Sequence, residues 1–290
     1  MATAAQWLEG ARPRTLPAAT APVLVGTGAA AVVDGFVWWR ALLALVVGLA
    51  LQVGVNYAND YSDGVRGTDA DRVGPLRLVG SGSARPGAVK RAALASFAVA
   101  AIAGLVLAAV SSWWLLLVGA AAIVAAWFYT GGSRPYGYRG LGEVSVFVFF
   151  GLVATVGTTY VQAEQVTLAS VLAGVGCGSF ACAILVANNL RDVETDGAAG
   201  KRTLAVLLGD ARTRVMYAGL VAVPFGCVVL VGIGHPPALV ALVAAALVVT
   251  PLRTVRGGAR GRDLIVVLRN TGLTLLAYGA LLGAGLALSG

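Results

Sequence analysis

Charge is scarce in this chain: Asp, Glu, Lys and Arg together supply 12% of its 290 residues, against 58% hydrophobic residues and a mean hydropathy of +0.84. Soluble domains carry roughly 25% charged residues, so the scarcity excludes a water-solvated globule and predicts an all-α, polytopic membrane bundle. Histidine occurs once, at His235. The three cysteines, Cys177, Cys182 and Cys227, lie inside apolar runs with no Cys-x-x-Cys or Cys/His grouping. Zinc and thiol redox chemistry are therefore not expected, and the cysteines read as small packing residues. No basic stretch precedes the first apolar run, so ATAAQWLEGARPRTLPAA at 2–19 reads as an interfacial helix with a Pro-broken entry, not a cleaved leader. Lysine is nearly absent, two against nineteen arginines, which hints at GC-rich bacterial coding.

What is abundant is apolar sequence in runs near the ~20 residues that a helix needs to cross the hydrocarbon core. They lie at about 15–33, 38–60, 92–111, 113–130, 141–161, 167–190, 213–233, 236–252 and 264–288, and predict nine transmembrane helices. If the N-terminus is cytoplasmic, the inner connections receive Arg12, Arg14, the basic residues from Arg66 to Arg91, Arg134, Arg139, those from Arg191 to Arg214, and those from Arg253 to Arg262. Only Arg40 falls outside, and Arg269 lies within the last span. That is the positive-inside pattern. Both tryptophan pairs, Trp38-Trp39 and Trp113-Trp114, then fall at the outer interface, where indoles anchor helix ends. The net charge of +8 reports this topology and an anionic ligand, with the lipid bilayer as partner and no need for nucleic acid. The expected location is a bacterial inner membrane, with the active site facing the cytoplasm.

The few acids are concentrated. ANDYSDGVRGTDADR supplies Asn59, Asp60, Asp63 and Asp69 at the end of the second run; ANNLRDVETDGAAGKRT supplies Asn188, Asn189, Asp192 and Asp196 at the end of the sixth. The Asn-xxx-Asp spacing recurs four spans later. It suggests two parallel four-helix pseudo-repeats, about 12–130 and 141–252, with a ninth helix at about 264–288, in a single domain. On a helix, residues four apart share a face, so Asn59 with Asp63, and Asn188 with Asp192 and Asp196, form two stripes at one mouth of the bundle. Carboxylates at a low-dielectric mouth repel unless a cation neutralises them. Hard oxygen donors with amide carbonyls beside them suit Mg²⁺ shared with substrate phosphates, which makes Asp60, Asp63, Asp69, Asp192 and Asp196 candidate metal ligands. Arg66, Arg72, Arg77, Lys201 and Arg202 follow the motifs and, with Asn59 and Asn188, are candidate diphosphate contacts. A transporter also uses repeats and intramembrane acids, but its sites lie near the midplane, whereas these acids cluster at one edge.

These residues carry a resemblance. The chain is similar to the UbiA superfamily of membrane prenyltransferases, which bear an Asn-Asp-xx-Asp motif after helix two and an Asp-xxx-Asp motif after helix six. The matching stretches are RPRTLPAATAPVLVG at 12–26, NYANDYSDGVRGTDADRVGPLR at 56–77, YTGGSRPYGYRGLGEVSVFVFFG at 129–151 and NNLRDVETDGAAGKRTLAVLLG at 188–209. The GPLR, PYGYRGLGE and GKRT segments resemble its naphthoate-prenylating branch. One departure is Gly67, which stands where the common first motif has an acid; the acid comes instead at Asp69. The resemblance implies ionisation of an allylic polyprenyl diphosphate, with Asp63 and Asp192 catalytic, and transfer to 1,4-dihydroxy-2-naphthoate with decarboxylation; 4-hydroxybenzoate is the alternative acceptor. Arg134, Tyr136 and Tyr138 are then candidates beside the acceptor carboxylate, and Glu143 a candidate base. Tyr57, Tyr61, Tyr129, Phe149 and Tyr160 are candidate shields for the carbocation, since aromatic faces attract cations.

Overall fold

The computed structural model describes residues 2–68 and 76–290. Asp69 and Arg72 lie outside the described residues. Helices form throughout, and no strand occurs among the described residues. Helix α1, Ala4–Ala11, opens with a reciprocal cap in which Thr3 and Gln6 exchange side chain-to-backbone hydrogen bonds. It is followed by α2 (Pro17–Ala31), α3 (Trp38–Arg66), α4 (Pro86–Val110) and α5 (Leu115–Phe128). The second half contains α6 (Gly142–Ala163), α7 (Leu168–Arg191), the short α8 (Val193–Ala198) and α9 (Leu204–Leu208), then α10 (Asp210–Gly234), α11 (Pro236–Arg256) and α12 (Asp263–Ala287).

Seven of these helices are long and apolar enough to cross a membrane: α3, α4, α6, α7, α10, α11 and α12. The other two expected spans are shorter. Helix α2 starts at Pro17 and has 15 residues, and α5 starts after a turn at Ser112–Trp114 and has 14. Helix α3 runs past the expected end to Arg66, where Gly67 adopts φ +74° and caps it. An acid at 67 would be strained in that left-handed cap, which gives the departure of the first motif a backbone cause.

Helix α7 is the hub, buried along its length at Ala173, Cys177, Phe180, Ala183, Val186 and Leu190. Its small residues let neighbours come close, as is usual where lipid supplies no hydrophobic drive for helix association. A Cβ on Gly178 would sit 2.9 Å from the Phe147 ring, and one on Gly176 only 2.1 Å from the Tyr278 hydroxyl. Helices α2 and α12 meet in the same way, through Gly28 against Gly283 and Gly279 against Ala21. Phe180, Tyr217, Leu275 and Tyr278 fill the core between α7, α10 and α12. The cysteines pack as expected; all three are buried, and Cys182 Sγ–H donates to the Glu143 carbonyl at 3.1 Å.

Candidate active site

A cavity of about 920 Å³ runs between α3, α5, α6 and α7. Its stripe on α3 passes from Ala44 through Gly48, Gln52 and Asn56 to Asp63, at helical spacing and over about 28 Å at 1.5 Å per residue. On α6 the lining residues follow a four-residue repeat, Val146, Phe150, Ala154 and Thr158, with Ser145, Phe149, Val153 and Gly157 beside them. In an α-helix such a repeat drifts about 40° per step. The π-helical stretch Phe147–Val153 underwinds the helix and keeps the row on the cavity wall.

Both acidic motifs reach the polar end of this cavity and meet there on one ammonium group. Lys201 Nζ lies 3.8 Å from Asp63 Oδ2 and 3.6 Å from Asp196 Oδ1. It also sits over the Tyr138 ring, 4.8 Å from the centroid. Arg77 Nη2 approaches Asp63 Oδ2 to 3.7 Å, and the Tyr138 hydroxyl donates to Asp63 Oδ1. Burial, and next the negative charge of Asp63, hold the Tyr138 phenol well above its ordinary pKa. It therefore remains protonated and remains a donor. Asn59 Oδ1 accepts from Thr130 Oγ1 at 2.8 Å, and Asn188 Oδ1 from Arg191 Nη2 at 2.9 Å.

The predicted second stripe is broken at its middle member. Helix α7 ends at Arg191, and Asp192 leaves helical geometry at φ −98°, ψ 8° before α8 begins. Its carboxylate faces Arg191, which contacts it in bidentate fashion at 2.7 and 2.6 Å. Arg191 lines the cavity in its place. Asp60 also turns away: its two oxygens accept the Leu78 and Val79 amides at 2.7 and 3.0 Å, folding the 76–84 segment against α3. Of the predicted residues, Asn59, Asp63, Arg77, Tyr136, Tyr138, Asn188, Asp196 and Lys201 line the cavity.

Others stand back from it. Exposed Arg66 donates to the Thr130 and Gly132 carbonyls and lies over the Tyr138 ring, so it pins the loop instead of reaching the cavity. Arg134 is exposed and Arg202 contributes its backbone N–H to the Tyr138 carbonyl; neither lines the cavity. Glu143 is buried behind Asn189, whose Nδ2 donates to Glu143 Oε1 at 3.0 Å. Among the aromatics, Tyr129 and Phe149 line the cavity. Tyr57 donates to the Trp7 carbonyl, Tyr61 packs on Trp127, and Tyr160 packs on Trp114.

Sequence reasoning missed Arg12. The α1–α2 junction is drawn over the end of α3 by Asn56 Nδ2, which donates to Ala11 O at 2.9 Å and Thr15 Oγ1 at 3.0 Å. That places Arg12 on the cavity wall, with a left-handed backbone at φ 56° and with its buried Nη2 lacking a hydrogen-bond partner among the described residues. An unsatisfied buried guanidinium nitrogen is costly, and it suits an anion delivered by a ligand. The one signal in the sequence is that Arg12 opens the matching stretch at 12–26; its place on the cavity wall depends on Asn56 and is invisible before folding.

The donor set fits a hard divalent cation. Asp63, Asp196, Asn59 and Asn188 offer only oxygen, and Lys201 already places one positive charge between the two motifs. Among the described residues no three acids form a ready-made metal cage, because Asp60 is taken by backbone amides and Asp192 by Arg191.

The UbiA prenyltransferase family matches residues 19–265. The 1,4-dihydroxy-2-naphthoate octaprenyltransferase of Mycobacterium tuberculosis is 56% identical over 287 residues, covering 99% of this chain and 98% of that one. The Escherichia coli protein of the same name is 40% identical over 77% of this chain and 75% of its own. Among solved structures, a UbiA homolog from Archaeoglobus fulgidus bound to DMAPP and Mg2+ superposes with a TM-score of 0.67 at 16% identity, over 96% of this chain and 99% of that one. Across nearly its whole length, this chain belongs to the UbiA prenyltransferase family.

Proposed function

We propose that the protein transfers a polyprenyl group from an allylic polyprenyl diphosphate to 1,4-dihydroxy-2-naphthoate, in menaquinone biosynthesis. The observation that carries this reading is the meeting of Asp63 and Asp196 on Lys201 at the polar end of a long apolar cavity; the names of the relatives supply the acceptor. The bond from C1 of the prenyl group to the diphosphate oxygen breaks, and the ring carbon beside the carboxylate bonds to C1. That carbon loses its proton, the carboxyl group leaves as CO₂, and a proton takes its place. The product is demethylmenaquinone at the quinol level.

Lys201, Arg77 and Arg191 would bind the departing diphosphate, and charge-assisted contacts of this kind supply several kcal/mol of barrier lowering. Mg²⁺, held by Asp63, Asp196, Asn59 and Asn188, would supply further positive charge against the diphosphate oxygens. Tyr138 keeps Asp63 oriented, and Asn189 keeps Glu143 in place behind the wall. Tyr129 and Phe149 would shield the allylic cation from water. The acceptor carboxylate would pair with Arg12, whose buried Nη2 has no other partner among the described residues, in place of the expected Arg134.

The test is transfer of a labelled octaprenyl group by purified protein to a panel of acceptors. The naphthoate is expected to be preferred, and excess chelator to stop the reaction; preference for 4-hydroxybenzoate would overturn the acceptor assignment. Arg12→Ala is expected to raise the acceptor KM about tenfold or more, in line with loss of a charged hydrogen bond, with donor KM unchanged. An unchanged acceptor KM would remove Arg12 from this role.

The reading extends to topology. Nine membrane crossings, counting α2 and α5, with a cytoplasmic N-terminus would put the polar end of the cavity in the cytoplasm of a bacterial cell. The ends of α3 and α7 carry corresponding motifs, in keeping with parallel repeats at about 12–130 and 141–252. Cysteine labelling checks the orientation. Gly35 is unsuitable, because a Cβ there would come within 2.4 Å of Ala163, but Phe36 and Arg85 are exposed. Phe36→Cys should react with an impermeant reagent from outside and Arg85→Cys only after the membrane is opened; the reverse pattern would invert the topology.

A further inference from the structure

The apolar end of the cavity is built in two layers. Its floor is a cluster in which Ala44, Leu107 and Val161 are buried and Leu115 packs against them. These residues come from α3, α4, α6 and α5. On each of the same four helices a cavity-lining glycine lies one turn nearer the polar end: Gly48 before Ala44, Gly104 before Leu107, Gly157 before Val161 and Gly119 before Leu115. The four helices thus place a glycine layer directly above a floor of larger side chains.

Close helix contact does not explain this layer. A Cβ built on Gly104, Gly119 or Gly157 meets nothing within 4 Å, whereas one on Gly28 would come 2.2 Å from the Gly283 carbonyl oxygen. Gly48 is intermediate, at 3.3 Å from the Ala19 carbonyl oxygen. Glycine weakens a helix interior relative to alanine. At three positions on three helices it provides no packing in return, only space. That space is continuous with the lining that leads to Asp63 and Lys201.

We propose that the glycine layer sets the length of prenyl chain the enzyme accepts: the distal isoprene units of a long donor lie in the width left by Gly104, Gly119 and Gly157, above the floor formed by Leu107, Leu115 and Val161. The proposal rests on the prenyl-transfer reading of the polar end. A short donor ends before this level and does not use it. A branched side chain at any of the three positions projects into the open width, and overfilling a snug apolar site is unfavourable.

The experiment compares wild type with Gly104→Leu, Gly119→Leu and Gly157→Leu, using the naphthoate with either geranyl or octaprenyl diphosphate. For octaprenyl diphosphate kcat/KM is expected to fall about tenfold or more, while geranyl transfer stays within about twofold. Retained geranyl transfer also reports that each variant is folded; if one fails to accumulate, the other two, on different helices, decide. Leu115→Ala, which lowers the floor, should shift competition between the two donors toward the longer. Equal loss of both donors in a variant with the wild-type unfolding midpoint, or no loss of either, overturns the proposal. Absence of transfer by wild type with both donors would instead strike the prenyl-transfer reading itself.

Discussion

Asp63→Asn is expected to lower prenyl transfer about a thousandfold, as loss of a group aimed at transition-state charge does, while leaving the protein folded. The asparagine keeps the volume and still accepts from the Tyr138 hydroxyl, but it no longer neutralises Lys201 and Arg77 or offers a charged oxygen to a metal. Asp63→Ala should lose as much activity and more stability, since removing one member of a buried ion pair leaves the other uncompensated. Asp60 provides the contrast three residues earlier. The residue is only 1% exposed and its carboxylate accepts from the Leu78 and Val79 amides, so Asp60→Asn should lower the unfolding midpoint by a few degrees and reduce transfer no more than about tenfold. Both variants are read by initial rates at saturating Mg²⁺ and by thermal unfolding in detergent. Near-normal transfer by Asp63→Asn would remove Asp63 from the chemistry. Equal, complete losses in both variants, with unchanged midpoints, would put Asp60 beside it.

The contrast between those two aspartates marks the limit of what the sequence expresses. Charged residues in so apolar a chain stand out, and Asp63, Arg77, Asp196 and Lys201 were legible for that reason, Asn59 and Asn188 through the repeated Asn-xxx-Asp spacing; all six line the cavity. Which neighbour faces the cavity was not. Asp60 and Asp63 lie three apart on α3 and so differ by about 60° around the helix; the choice between them is made by a segment at 76–84 that folds back from outside the motif. Asp192 was expected on a continuous stripe, but the helix ends there and its own neighbour Arg191 takes its charge. Arg134 was expected near the mouth and is exposed off the cavity wall, whereas Arg12 lies on it, for a similar reason. An arginine between Ser133 and Pro135 in a loop looks close to the mouth, whereas the place of Arg12 on the cavity wall depends on Asn56 reaching 45 residues back to the Ala11 carbonyl. The bundle itself was plain in the hydropathy, though two of the nine expected spans are helices of only 15 and 14 residues, α2 and α5, and seven helices are long and apolar enough to cross. The π-helical stretch in α6 left no mark in composition.

Lys201→Met is the second large effect expected, and its signature differs from that of the aspartates. The methionine keeps most of the apolar stem while removing the ammonium group that bridges the motifs, so Asp63 and Asp196 face each other's field without it. Two effects of opposite sign follow. The site becomes more negative, which strengthens attraction for a divalent cation, so the Mg²⁺ concentration for half-maximal activity should fall. The diphosphate loses a charge-assisted partner both in binding and as it departs, so donor KM should rise and kcat should drop about a hundredfold even at saturating Mg²⁺. Lys201→Arg should recover only part of kcat, because a planar guanidinium cannot sit as a point charge between two carboxylates and over the Tyr138 ring at once. The measurement is a Mg²⁺ titration of initial rates for wild type and both variants. A purely structural lysine would lower activity in proportion to the folded fraction, with the Mg²⁺ midpoint and donor KM unmoved, and that outcome would remove Lys201 from the chemistry. A Mg²⁺ midpoint that rises instead would mean that the lysine assembles the metal's oxygens and does not compete for them.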